Sequence, residues 1–246
     1  MDFHIEESTG AVRCGSTLSA HIKAHAWHQY PKESVGAIVR GEYVPLHNVH
    51  PSPHTSFMVS QYPDDLEALV HSHPDTLTCP SAADMSQQAA MDVPWGIVSV
   101  DGKSSQVSEV EWFGEGCPIP PLLGRTFLSG VRDCWCLVKD WYTLNHPEIG
   151  HKLPQLPRDH DWYKDEIDLL GPQNIEDAGF EQIHISEMRL GDVILGRIGS
   201  RVVNHCGVYW GGNQALSHME GRLSRLEVVH HWLQRAEYIL RHRDMP

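Results

Sequence analysis

The feature that most limits how this chain can fold is a break near its middle, Gly114-Glu115-Gly116-Cys117-Pro118-Ile119-Pro120-Pro121. Its prolines lock φ and remove backbone donors, so it cannot sit inside a helix or a central strand. The segment therefore reads as a stiff, extended connector. It leaves halves of about 112 and 122 residues, each near a common domain size. The expected organisation is a domain over 1–112, a Pro-rich linker over 113–124 and a domain over 125–246. No internal repeat or low-complexity tract is present in either half.

Hydrophobic periodicity then separates the two halves in kind. In the first, Leu18, Ile22 and Ala26 recur at helical spacing after the cap candidates Ser16 and Thr17, and Pro31 closes the segment. Residues 35–39, 44–49, 56–60 and 95–100 read as strands and 81–91 as a helix, while 64–70 fits helix or strand equally. This mixed order predicts an α/β sheet with flanking helices. In the second half, 133–144 reads as a helix with Asp133 as N-cap and Leu137, Trp141 and Leu144 on one side. Residues 193–195 follow a turn as a strand, and 201–210 and 213–219 flank Gly211-Gly212, a two-residue hairpin signal. One helix followed by an antiparallel sheet predicts an α+β domain.

The formal charge of −13 argues against nucleic acid or an anionic membrane as partner, since both reward clustered Lys and Arg. No apolar run approaches the roughly 18–20 residues of a membrane span. The acidic, polar N-terminus carries no visible Sec-type signal, so reduced thiols are the expectation for the six cysteines. None of them forms a CxxC pair, and one is free to be a nucleophile.

Two constellations carry chemistry. In the first, His71-Ser72-His73 precedes Ser81-Ala82-Ala83-Asp84, with Glu33 upstream. Residues two apart on an extended segment project from one face, so His71 and His73 can address one ion, with Asp84 closing back from the next helix. Two imidazoles and a carboxylate leave a fourth position open, as in a catalytic zinc site. Glu33 is placed to handle protons and Ser81 to donate to an oxyanion. The same Ser81-x-x-Asp84 spacing also fits a helix-capping box, and the residues alone do not choose between the readings.

In the second, Cys134 follows Asp133 at a helix start, where the dipole and free N–H groups favour thiolate. If Gly211-Gly212 is the two-residue loop, Trp210 faces Asn213 and, five pairs further, His205 stands opposite His218. His205 can then be the general base and His218 the group that fixes its tautomer. A slip of one residue would separate them onto opposite faces. The competing readings are that Cys134 is a packed small hydrophobe, that Cys136 is the reactive thiol, and that both histidines are solvated.

The first motif set resembles the JAMM metalloprotease motif. The resemblance implies a JAMM-type sheet with flanking helices and a zinc-dependent peptidase or isopeptidase. Its zinc ligands would be His71, His73 and Asp84, with Glu33 as general acid/base. The second set, with Asp133-Cys134, Leu137-Val138, Tyr142, Gly191-Asp192-Val193, Asn204-His205-Cys206-Gly207-Val208-Tyr209 and His218, resembles the NlpC/P60 cysteine peptidases over most of residues 125–230. That resemblance implies a papain-like domain with an antiparallel sheet, Cys134 as nucleophile, His205 as base and His218 as third residue. The substrate it implies is peptidoglycan stem peptides, often at the bond from D-glutamate to a diamino acid. Trp135-Cys136 departs from the Ser-Gly of many members, and a tyrosine often found upstream is not evident. The two sets in this order and length resemble a family of lambda-like bacteriophage tail proteins. That implies other phage tail tip proteins as partners, and a place in the host cytoplasm during assembly or at a virion tail tip acting in the periplasm.

Overall fold

A computed structural model of the chain describes residues 3–5 and 12–246. The chain divides into two compact units, Met1–Ile119 and Pro120–Pro246. Among the described residues, no helix is long and apolar enough to cross a membrane.

The first unit opens with a ribbon of β1 (Phe3–Ile5) and β2 (Val12–Cys14), followed by α1 (Ser16–Gln29), β3 (Val35–Val39), β4 (Glu42–Leu46), β5 (Leu66–Pro74), α2 (Ala82–Met91), β6 (Trp95–Asp101), β7 (Gln106–Val107) and β8 (Glu111–Phe113). The main sheet runs β4-β3-β5-β6-β7, with β8 also pairing β6. Only β5 and β6 are parallel. Parallel neighbours need a crossover, and α2 supplies it. The segment that fits helix or strand equally is the strand β5, which lies between β3 and β6 and is buried along most of its length. Residues 56–60 form no strand. Ser16 and Thr17 lie inside α1, whose N-cap is Gly15 without a side-chain capping bond. α1 buries Leu18, Ile22 and Ala26 against Ile38, Val70 and Val98 of the sheet.

The second unit comprises α3 (Cys134–Asn145), α4 (Pro147–Gly150), α5 (Pro172–Asp177), β9 (Phe180–Gln182), β10 (Val193–Gly196), β11 (His205–Gly211), β12 (Gln214–Ser217), β13 (Arg225–Val228), α6 (Val229–Leu233) and β14 (Ala236–His242). Its sheet runs β13-β12-β11-β10-β14-β9 and is antiparallel throughout. α3 packs Leu137, Val138, Trp141 and Tyr142 against Val193, Leu195, Cys206 and Val208. Leu144 is 55% exposed. It shares Leu137's azimuth but lies in the last turn, beyond what the core covers. The turn into β10 is pinned twice: Tyr142 Oη donates to the Gly191 carbonyl at 2.9 Å, and the Arg241 guanidinium holds the buried Asp192 carboxylate at 2.7 and 2.8 Å.

The β11–β12 hairpin corrects the expected register. Its pairs are Gly207↔Ser217, Val208↔Leu216, Tyr209↔Ala215 and Gly211↔Gln214, with a shift between Tyr209 and Gly211. The two loop residues are therefore Gly212 and Asn213, both with positive φ (56° and 64°). A tight hairpin turn of this hand needs positive φ at both central positions, and Gly followed by Asn supplies it. Trp210 becomes the extra residue of a bulge. The net displacement is one residue, so His205 does not stand opposite His218. His218 instead follows the last paired residue of β12.

Candidate active sites

The end of the first sheet gathers one constellation. The ladder from β3 to β5 ends at Val35↔His71, and Ser72 locks it: its N–H donates to the Ser34 carbonyl at 3.0 Å, and its hydroxyl accepts from the Ser34 N–H at 2.8 Å. Continuing that register two residues brings Glu33 level with His73. The Glu33 backbone is clamped by the Pro53 carbonyl at 2.7 Å and the Asn48 amide at 3.0 Å. Asp84 arrives from the first turn of α2.

The imidazole Nε2 atoms of His71 and His73 are 3.0 Å apart. Asp84 Oδ1 lies 3.3 Å from the first and Oδ2 3.4 Å from the second. A four-coordinate divalent ion with bonds of about 2.0–2.1 Å has ligand–ligand edges of about 3.3–3.4 Å, so this donor set fits a metal ion. His73 Nδ1 lies 2.9 Å from the Leu77 carbonyl, the outer contact that orients a metal-binding imidazole. Against opposing burial, His71 and His73 hold the Asp84 carboxyl well below the usual carboxylate range. Burial lowers the His71 pKa, whereas against opposing burial the Asp84 carboxylate raises that of His73. Burial also pushes the Glu33 carboxyl up to about 7, opposed by the His73 charge and reinforced by Asp84. Glu33, His73, Ser81 and Asp84 line one cavity of about 270 Å³.

The capping box and the ligand cluster coexist. Ser81 Oγ accepts from the Asp84 N–H at 3.1 Å. Its hydroxyl and N–H both donate to Asp84 Oδ2, at 2.7 and 2.8 Å. Ser81 therefore spends its hydroxyl hydrogen on orienting Asp84, and in this arrangement has none for an oxyanion.

The second constellation forms where α3 meets β11. Asp133 Oδ1 accepts from the N–H groups of Trp135 and Cys136, both at 3.1 Å. Its Oδ2 accepts from the Gly130 N–H at 2.8 Å and from the Arg158 guanidinium. The cap starts α3 and fixes Cys134 as its first residue. Cys134 has a pKa well below that of an ordinary thiol: Cys206 donates a hydrogen bond to it, and His205 adds charge and a further bond, while burial opposes both. The neighbouring thiols move the other way. Burial, with Asp133, pushes Cys136 up to about 12, and burial raises Cys206 well above the thiol range. Of the three, only Cys134 is poised to ionise.

His205, the first residue of β11, lines with Cys134, Asn204 and Arg158 a cavity of about 210 Å³. Among the described residues, its Nε2 has no hydrogen-bond partner. His218 is fully buried and lies edge-on to Phe127 at 5.3 Å; among the described residues neither ring nitrogen has a partner at hydrogen-bond geometry, although the Arg125 backbone lies close enough to act on it. Burial, and after it the nearby Arg125 charge, lowers its pKa to about 4; His205 is close enough to contribute. His205 and His218 are thus brought near one another, but no hydrogen bond joins them.

The sequence profile of the NlpC/P60 family matches residues 122–241, and that of prokaryotic homologs of the JAB domain matches residues 16–113. Tail tip assembly protein K of Escherichia phage lambda is 35% identical over 180 residues, spanning 73% of this chain and 83% of that protein. Tail tip assembly protein K of Escherichia phage N15 is 30% identical over 243 residues, spanning 91% and 93%. The chain belongs to the tail tip assembly protein K family. Its first unit is thus a JAB-like domain and its second an NlpC/P60 domain. Among solved structures, NlpC1 from Trichomonas vaginalis matches at 13% identity and a TM-score of 0.32, over 85% of this chain and 69% of that one.

Three residues of the thiol site were not found by sequence reasoning. Arg158 lies in an irregular segment with no periodicity to mark it. Cys206 reads as an ordinary strand residue and is recognised only once α3 packs on β11. Trp232 stacks on His205 from α6 with ring centroids 4.8 Å apart, and no local spacing relates the two.

Proposed function

We propose that the chain is a phage tail tip hydrolase whose Cys134 cleaves peptide bonds in peptidoglycan stem peptides. The observation that carries this reading is a helix-initial cysteine whose ionisation is favoured by His205 and which opens onto a cavity. The Cys134 thiolate attacks the carbonyl carbon, and His205 delivers its proton to the leaving amine. Water then hydrolyses the thioester, with His205 taking back a proton. His218 stays neutral at working pH and serves as the polar neighbour of His205. The N–H groups of Trp135 and Cys136 are engaged by Asp133, so oxyanion stabilisation falls to other donors. Purified protein is expected to release new amines from sacculi, and Cys134→Ser to abolish that release. Equal release by the variant would refute the proposal.

The JAB-like unit supports a second activity, a zinc-dependent peptidase or isopeptidase. His71, His73 and Asp84 would hold the zinc, which would supply a water of lowered pKa and polarise the carbonyl. Glu33, buried beside them, would accept and return the proton. The relatives are named for tail tip assembly, which favours a partner within the tail as this unit's substrate, with other tail tip proteins as binding partners. Tails assembled with Glu33→Gln are then expected to contain a partner of larger mass than wild-type tails. Identical masses would remove this reading.

A further inference from the structure

A general base in a cysteine peptidase has to hold its ring plane as well as its proton, and the usual device is a hydrogen bond to the nitrogen that faces away from the thiol. Among the described residues, His205 Nε2 is buried without a hydrogen-bond partner, and the one-residue displacement of the hairpin carries His218 away from the opposing position. What lies flat against the imidazole is an indole. Trp232, only 7% exposed, stacks on His205 at 4.8 Å with the ring planes 30° apart. The indole is itself held. Its Nε1–H donates to Glu227 Oε2 at 3.0 Å, and that oxygen also accepts from the Ser217 hydroxyl at 2.9 Å. The other carboxylate oxygen accepts from Arg225 Nε at 2.9 Å. Gly207 lies beside the contact, and a Cβ there would meet the Leu216 carbonyl at 2.8 Å.

We propose that Trp232 is a positioning residue for His205, fixing the imidazole plane by stacking, in the place that a hydrogen-bonded third residue would otherwise occupy. The proposal rests on His205 being the partner of Cys134. Stacking restricts rotation about the imidazole's last bond and excludes water from one ring face, so the bond between His205 and Cys134 keeps its direction. Glu227 acts at one remove, by fixing the indole. Asp133 at the start of α3, Arg158 bonded to it from the segment beyond α4, Cys206 on β11 and His218 after β12 also face the thiol–imidazole pair. His160 and Glu220 line the same cavity. All of these are left unaltered in the variants that follow.

The test is the pH profile of Cys134 alkylation by iodoacetamide, read by mass spectrometry on the peptide that carries residue 134. Wild type is expected to react well below the ordinary thiol range. Trp232→Met, which fills the space without a ring, is expected to react about tenfold more slowly near pH 6 and at the wild-type rate near pH 9.5, because the thiolate limb moves up by about one pH unit. Trp232→Phe keeps a ring and is expected within about twofold of wild type. Glu227→Gln leaves the indole in the core with a weaker anchor, and is expected to be about threefold slower near pH 6. It keeps the test open if Trp232→Met does not fold. An unmoved profile in every variant, or an equal loss across the whole pH range, overturns the proposal. His205→Ala separates the two levels. If it leaves the limb in place, the reading of His205 as the partner fails. If it moves the limb and no Trp232 or Glu227 variant does, only the role of Trp232 fails.

Discussion

His218 is buried against Phe127, with neither ring nitrogen at hydrogen-bond geometry to a partner among the described residues, and its pKa falls to about 4, chiefly through burial. An unfolded histidine titrates near 6.5. As pH falls from 6.5 to 4, the unfolded chain therefore binds a proton that the folded chain refuses, and stability declines across that window. The loss from this group is up to about 3 kcal/mol, complete below pH 4 and absent above pH 6.5. Urea unfolding at pH 7 and 4.5 should show a smaller drop for His218→Gln than for wild type. Arg158 Nε and Nη2 both donate to Asp133 Oδ2, at 3.1 and 2.5 Å, with both side chains at most 5% exposed. Arg158→Met leaves the Asp133 charge buried beside Cys134, and should cost about 3–5 kcal/mol in urea unfolding. The double variant with Asp133→Asn should recover part of that loss, since the uncompensated charge is then gone.

Among the elements, α2 shows how a helix cap can serve a site. Ser81 satisfies the Asp84 N–H and holds Oδ2 in return, so that the carboxylate faces both imidazoles. Ser81→Ala should cost about 1 kcal/mol of stability in thermal unfolding. It should also weaken zinc binding about tenfold in a chelator competition, as loss of an outer contact to a metal ligand does. Unchanged affinity would mean that the first turn of α2 positions Asp84 without the hydroxyl. The β11–β12 hairpin makes the opposite point. Gly211, Gly212 and Asn213 all suit a turn, and only the assembled sheet decides that the last two occupy it. Trp210 then bulges, and the difference of one residue decides which side chains can face His205.

At the scale of the whole molecule, the two units carry separate cores and separate constellations. Each piece, residues 1–119 and 120–246, is expected to unfold cooperatively when made alone, and zinc at about 100 times its Kd should stabilise the first by about 2.7 kcal/mol and leave the second unmoved. Differential scanning calorimetry with and without zinc checks this, with His71→Ala as the control that should lose the shift. The parts of the sites that were legible in the sequence are those set by short spacing. His71 and His73 share a strand face, Asp84 follows within a helix turn of a capping serine, and Cys134 begins a helix behind Asp133. Backbone geometry alone dictates each of these, over a few residues. The rest required the fold. Arg158 reaches Asp133 across 25 residues, Cys206 reaches Cys134 only through the packing of α3 on β11, and Trp232 meets His205 from another element. No periodicity encodes such meetings, because they depend on the register and packing of distant segments, where a shift of one residue reverses a face.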